Sequence, residues 1–108
     1  MAQDKIDLRK ETMSRTDVEC GFVVCTNAQG QTHKGVRTCG HRYGVKVETE
    51  CPSGYTASLI YHTHPGGHAE PSSVDIREAK RLGIARLCIG VPQTGEVKCH
   101  DTRNYGKR

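Results

Sequence analysis

The sequence predicts an α/β fold built on a mixed, mostly antiparallel sheet with few helices. Three observations carry this expectation. Apolar, β-branched and aromatic residues gather into short runs, notably Gly21-Phe22-Val23-Val24-Cys25, Ala57-Ser58-Leu59-Ile60-Tyr61-His62 and residues 84–91. One segment, residues 72–83, carries the start, the apolar spacing and the stop of a helix. Twelve glycines among 108 residues favour turns between short elements over long helices.

Taken in order, residues 1–17 are polar and hold only Ile6, Leu8 and Met13 as large apolar side chains, enough for a short helix over roughly 7–14. The strand at 21–25 ends in a turn, Asn27-Ala28-Gln29-Gly30. Residues 32–38 and 43–49 form two further strands, separated by Cys39-Gly40-His41. In the second, Val45 and Val47 alternate with Lys46 and Glu48, the pattern of a half-buried strand. Pro52-Ser53-Gly54 breaks the chain before the strand that runs into His62. Residues 65–71 are a loop by composition. Ser72 or Ser73 then caps a helix through Val74, Ile76, Ala79 and Leu82, which stops at Gly83. Residues 84–91 and 96–100 make a hairpin around Pro92-Gln93-Thr94-Gly95. No internal repeat is present. The division that follows is a loose segment over 1–17, a domain over 18–100 and a basic tail over 101–108.

Only 34% of residues are hydrophobic, with one Phe and no Trp, so the core is lean and a metal or disulfides gain weight as stabilisers. The net charge of +4 is spread along the chain without the basic stripe and interleaved aromatics of a nucleic-acid surface. Nucleic acid is therefore not an expected partner. No apolar run approaches transmembrane length and the N-terminus has no signal-type apolar stretch, which points to a cytoplasmic chain without membrane contact. Cys20, Cys25, Cys39, Cys51, Cys88 and Cys99 include no Cys-x-x-Cys pair, so a structural zinc ribbon is not expected. In a cytoplasmic setting the expectation is reduced thiols. If a bridge forms at all, Cys39–Cys51 is the first pair to test, since it flanks a possible hairpin.

The chemistry concentrates in His62-Thr63-His64-Pro65 and Ser72-Ser73-Val74-Asp75. Residues two apart on a strand point to one face, so both imidazoles can grip one ion. Pro65 ends the strand, six residues turn the chain back, and the new helix presents Asp75 in its first turn. Two imidazoles and one carboxylate make a catalytic type of zinc site, with water in the fourth position. Each piece alone has a plainer reading: Ser72 as an N-cap, Asp75 as a helix-dipole partner, the histidines as surface residues.

The joint pattern resembles the JAMM metallopeptidase (JAB/MPN) family, whose signature is an upstream Glu, then His-x-His-Pro, a short loop and Ser-x-x-Asp. The loop Glu70-Pro71-Ser72-Ser73-Val74-Asp75-Ile76 is similar to the RadC branch, and Ala79-Lys80-Arg81-Leu82-Gly83-Ile84 to compact prokaryotic JAB domains. The resemblance implies a cytidine-deaminase-like JAB/MPN architecture. It implies one Zn2+ on His62, His64 and Asp75, with Ser72 hydrogen-bonding the water or the developing oxyanion. The family's general base maps onto Glu19 of Glu19-Cys20-Gly21-Phe22-Val23-Val24, ahead of Glu48 and Glu50, which lack that context. His68 is an extra ligand, a substrate contact or a solvent-facing loop residue. Two departures stand out: there is no room for a helix just ahead of the His-x-His strand, and no long insertion of the kind that grips ubiquitin. The implied activity is hydrolysis of a peptide or isopeptide bond, at the C-terminus of a ubiquitin-like or sulfur-carrier protein, by metal-bound water activated by Glu19. A non-catalytic scaffold and a RadC-like role near DNA are the alternatives.

Overall fold

The computed structural model describes residues 6–13, 17–41, 44–67 and 69–104. Helix α1 (Leu8–Thr12) precedes strands β1 (Cys20–Asn27), β2 (Thr32–Lys34), β3 (Thr38–Cys39) and β4 (Tyr55–Thr63). Helix α2 (Ser73–Arg81), β5 (Arg86–Val91), β6 (Glu96–Asp101) and a 3-10 turn (Thr102–Asn104) follow. The strands form one sheet in the order β2-β1-β4-β5-β6, with β3 also paired to β1. Only β4 and β5 run parallel, and α2 is the crossover that such a pair requires. The class is the expected one, a mostly antiparallel mixed sheet with few helices.

The strand alternation divides the core between two faces. Ile60, Leu87 and Ile89 pack with Ile84 and with Ala79 of α2, and Val47 and Ile76 join them. Phe22, Val24, Tyr61 and Cys88 pack on the other face with Leu8. There Thr12 is fully buried and its hydroxyl donates to the Leu8 carbonyl at 2.6 Å. That proton is thereby used, so Tyr61 donates its hydroxyl to Thr12. The close fit explains Gly90, where a Cβ would collide with the Thr12 hydroxyl and lie 2.8 Å from the Tyr61 hydroxyl oxygen. Helix α1 belongs to this face although it lies within 1–17.

Two strand expectations need correction. Residues 32–38 split into β2 and β3, because Gly35 draws its backbone against β1. Its N–H donates to the Val23 carbonyl at 2.7 Å, and a Cβ there would meet Val23 Cγ1 at 2.8 Å. The strand expected over 43–49 is not formed: residue 43 lies outside the described residues, and 45–49 join no ladder. Both edges of β1 are already taken, by β2 and β3 on one side and β4 on the other. The segment instead crosses the α2 face, with Val45, Val47 and Thr49 half-buried and Lys46, Glu48 and Glu50 exposed. The alternation was a sign of half-burial, not of pairing.

The cysteine expectation is also overturned. The six thiols are not reduced but paired as Cys20–Cys39, Cys25–Cys51 and Cys88–Cys99, and Cys39–Cys51 is not a bridge. Register decides two of these pairs. Cys20 faces Cys39 across β1 and β3, and Cys88 faces Cys99 across β5 and β6.

Glu11 of α1 ties the N-terminal helix to the β2 side, contacting Lys34 Nζ at 2.8 Å and Arg37 Nη1 at 2.7 Å. Partial burial by itself would raise its pKa, but Lys34 and Arg37 hold the carboxyl below its usual value. A depressed folded pKa contributes stability that is present above the unfolded pKa and lost as pH falls through the folded one. Glu11→Gln is therefore expected to cost about 1 kcal/mol in denaturant unfolding at pH 7. The difference from the parent should shrink as pH falls below the ordinary glutamate range. An equal cost at acid pH would show that charge is not its origin.

Candidate metal centre

Strand β4 delivers both histidines. His62 is 5% exposed near the strand's end, opposite Gly21 of β1 and Ile89 of β5. His64 follows just past Thr63, and its N–H donates to the Gly90 carbonyl at 2.8 Å, extending the β5 contact by one residue. The antiparallel β1–β4 register sets Glu19 beside the pair, two positions before Gly21. Its backbone is fixed from the far side: the Glu19 N–H donates to the His41 carbonyl at 2.9 Å, and the Glu19 carbonyl accepts from the Gly40 N–H at 2.8 Å. Thr63 Oγ1 accepts from the Cys20 N–H at 2.9 Å and ties the start of β1 to the end of β4.

Asp75 arrives from the opposite side on α2. Ser72 is the N-cap, and its Oγ accepts from the Asp75 N–H at 3.1 Å. Asp75 Oδ2 in return accepts from the Ser72 N–H at 2.8 Å, which completes a capping box. The intervening loop is pinned by Gln93, which donates to the Pro65 carbonyl, and by a 2.9 Å contact between His100 Nε2 and the Ala69 carbonyl. No sequence pattern singled out Thr63, Gln93 or His100 for these roles. Each acts through backbone atoms of a segment distant in sequence.

Four of the five expected site residues converge here, and Ser72 stands at the rim, exposed, as the cap. Nε2 of His62 lies 3.3 Å from Asp75 Oδ1, and Nε2 of His64 lies 3.3 Å from Asp75 Oδ2. Each histidine thus meets a different oxygen of the carboxylate. His62 Nδ1 is 3.6 Å from Glu19 Oε1 and is buried without a hydrogen-bond partner. Ligand atoms of Glu19, His62 and His64 also lie within 4.8 Å of one another, so these three could hold a metal ion. Two ligand sets thus share the histidines, with Asp75 or Glu19 as third member. Glu48 and Glu50 are exposed and line the groove that His62 and Asp75 also line, and His68 lies outside the described residues.

Burial alone would lower the pKa of His62, but hydrogen bonding and charge from Asp75, then Glu19, raise it to about 9. For Asp75, burial would raise the pKa. The two histidines and the Ser72 N–H outweigh it and hold the carboxyl well below the usual range.

Beside the cluster, and lined by His62 and Asp75 themselves, runs a groove of about 480 Å³. Val45 and Val47 form one wall, Ile60 and Leu87 the floor, and Val74, Glu78 and Leu82 of α2 the other wall. Val74 and Leu82, two apolar positions of the expected helix, are 57% and 37% exposed and line this groove.

A buried and a half-buried histidine at a strand end, met by a helix-borne carboxylate, make a cluster in an α/β domain that could hold a metal ion. The family model for prokaryotic homologs of the JAB domain matches residues 8–103, and the chain belongs to that family. No curated protein and no solved structure matched the chain. Among the described residues, no helix is long and apolar enough to cross a membrane.

Titration with Zn2+ should give one ion per chain, and His62→Ala, His64→Ala or Asp75→Ala should each abolish stoichiometric binding. Because the ion must displace the His62 proton, binding should release protons and tighten as pH rises toward 9. Calorimetry in buffers of different ionisation enthalpy reads that release; binding without proton release would place the ion elsewhere.

Proposed function

We propose that the chain is a zinc-dependent peptidase that cleaves a peptide or isopeptide bond at the C-terminal tail of a ubiquitin-like or sulfur-carrier protein. The convergence of Glu19, His62, His64 and Asp75 beside a groove of mixed apolar and charged lining carries this reading. His62, His64 and Asp75 hold the metal, and the two-histidine, one-carboxylate set suits zinc. Zinc, when bound, acidifies a coordinated water and polarises the scissile carbonyl. Glu19 takes the water's proton and returns it to the leaving amine. The Ser72 hydroxyl accepts from Asp75 and keeps its own proton to donate to the oxygen on which charge develops.

The groove suits an extended peptide more than a folded surface. Its wall at 45–50 joins no ladder, which leaves backbone groups there to pair with a substrate strand, while Val47, Val74 and Leu82 receive aliphatic side chains. Disulfides persist in oxidising surroundings, so a chain with three of them fits such a compartment, or a hyperthermophile's interior, better than an ordinary reducing cytoplasm.

Incubation with a fusion carrying a ubiquitin-like tail tests the reaction. Cleavage should stop with a chelator and return with Zn2+. Glu19→Gln should lower kcat by about 10² to 10⁴-fold with zinc still bound. Cleavage that survives both treatments would exclude the mechanism. Val74→Asp, at an exposed position, should raise KM about tenfold, roughly 1.4 kcal/mol, and change kcat less; an unchanged KM would remove the groove from substrate binding.

A further inference from the structure

We infer that Cys20–Cys39 and Cys25–Cys51 are positioning elements of the site, so that hydrolysis depends on both being closed; this rests on the peptidase reading above. Both bridges start on β1, and they end at Cys39 and Cys51, on either side of residues 45–50, which form one wall of the groove. Between these anchors the wall has little else. Among the described residues, no backbone–backbone hydrogen bond joins 45–51 to the rest of the chain. Its other ties are a 3.0 Å bond from Thr38 Oγ1 to the Lys46 carbonyl and the packing of Val47 on the core.

The two bridges act on different parts of the site. Cys20 directly follows Glu19, and Cys39 directly precedes Gly40 and His41, whose backbones bond both backbone groups of Glu19. This bridge therefore sets where the Glu19 carboxylate stands relative to His62. Cys25–Cys51 instead sets the height of the wall over Ile60 and Leu87. The third bridge, Cys88–Cys99, spans a complete β5–β6 ladder and packs on the opposite face with Phe22 and Tyr61, so it provides an internal control.

Cys39 is exposed while Cys20 is fully buried, so a dithiol reductant enters at Cys39. Its thiolate attacks that sulfur, the S–S bond breaks, and Cys20 leaves as a thiolate that takes up a proton. The second thiol of the reductant then displaces Cys39 and closes the reductant's own disulfide. The cysteine pair gains two electrons and the dithiol loses two.

The test compares C20A/C39A, C25A/C51A and C88A/C99A under one set of conditions, with folding checked by circular dichroism. The first pair should lose tenfold or more in kcat with KM within twofold. The second should gain tenfold or more in KM with a smaller change in kcat. The third should lose thermal stability while both constants hold. Loss of kcat/KM to the same extent in all three, or in none, would overturn the inference. Hydrogen exchange provides a readout independent of cleavage and of the variants' folding. In the parent chain under graded dithiol, with open bridges mapped by alkylation, protection at 19–21 and 40–41 should fall as the β1 bridges open and return on reoxidation. Protection that stays unchanged there would overturn the inference, even if no substrate is cleaved; cleavage that is absent while the exchange pattern holds would count against the peptidase reading alone.

Discussion

Strands β1 and β4 pair from Gly21 opposite His62 to Asn27 opposite Tyr55, and this ladder sets almost every distance in the site. It places Glu19 and His62 on one face although they are far apart in sequence. It also demands glycine at 21, where a Cβ would lie 2.5 Å from the Tyr61 carbonyl oxygen, 2.8 Å from His62 Cβ and 2.9 Å from Val47 Cγ2. A side chain there would push apart the base, the histidine and the groove wall together. The parallel β4–β5 pair adds the other half of the constraint. It needs a crossover, and the crossover helix begins where the strand ends, so Asp75 returns to the histidines that its own loop left behind.

Two carboxylates converge on two imidazoles in a mostly buried setting, and taking like charges out of water is costly. The imidazoles offset that cost, since Asp75 and then Glu19 raise the proton affinity of His62. The same crowding of donors is what makes the cluster one that could hold a metal ion.

Local signals were legible in the sequence, and relations between distant segments were not. His62, His64, Ser72 and Asp75 are readable because strand alternation, a proline stop and a helix cap fix their relative placement within one short stretch. Glu19 became readable only through family resemblance, because its partnership with His62 depends on a register between distant strands. The wall at 45–50 misled because alternation reports half-burial whether or not a neighbouring strand has a free edge. Cys88–Cys99 was within reach: the two residues lie symmetrically about the expected hairpin turn at 92–95. Pairings to β1 across loops had no such local ruler. Val74 and Leu82 carried helical spacing that suggests a buried face, yet the space above them is the groove rather than the sheet.

The capping box at the start of α2 has a bearing on how this corner can change. Ser72 and Asp75 secure the first turn of the helix through the same carboxylate that faces the histidines. Helix nucleation and the placement of the carboxylate against the histidines are thereby one trait, inherited or lost together. A substitution that improves the cap at the expense of the carboxylate, or the reverse, moves both, so drift at these two positions is confined to a narrow corridor.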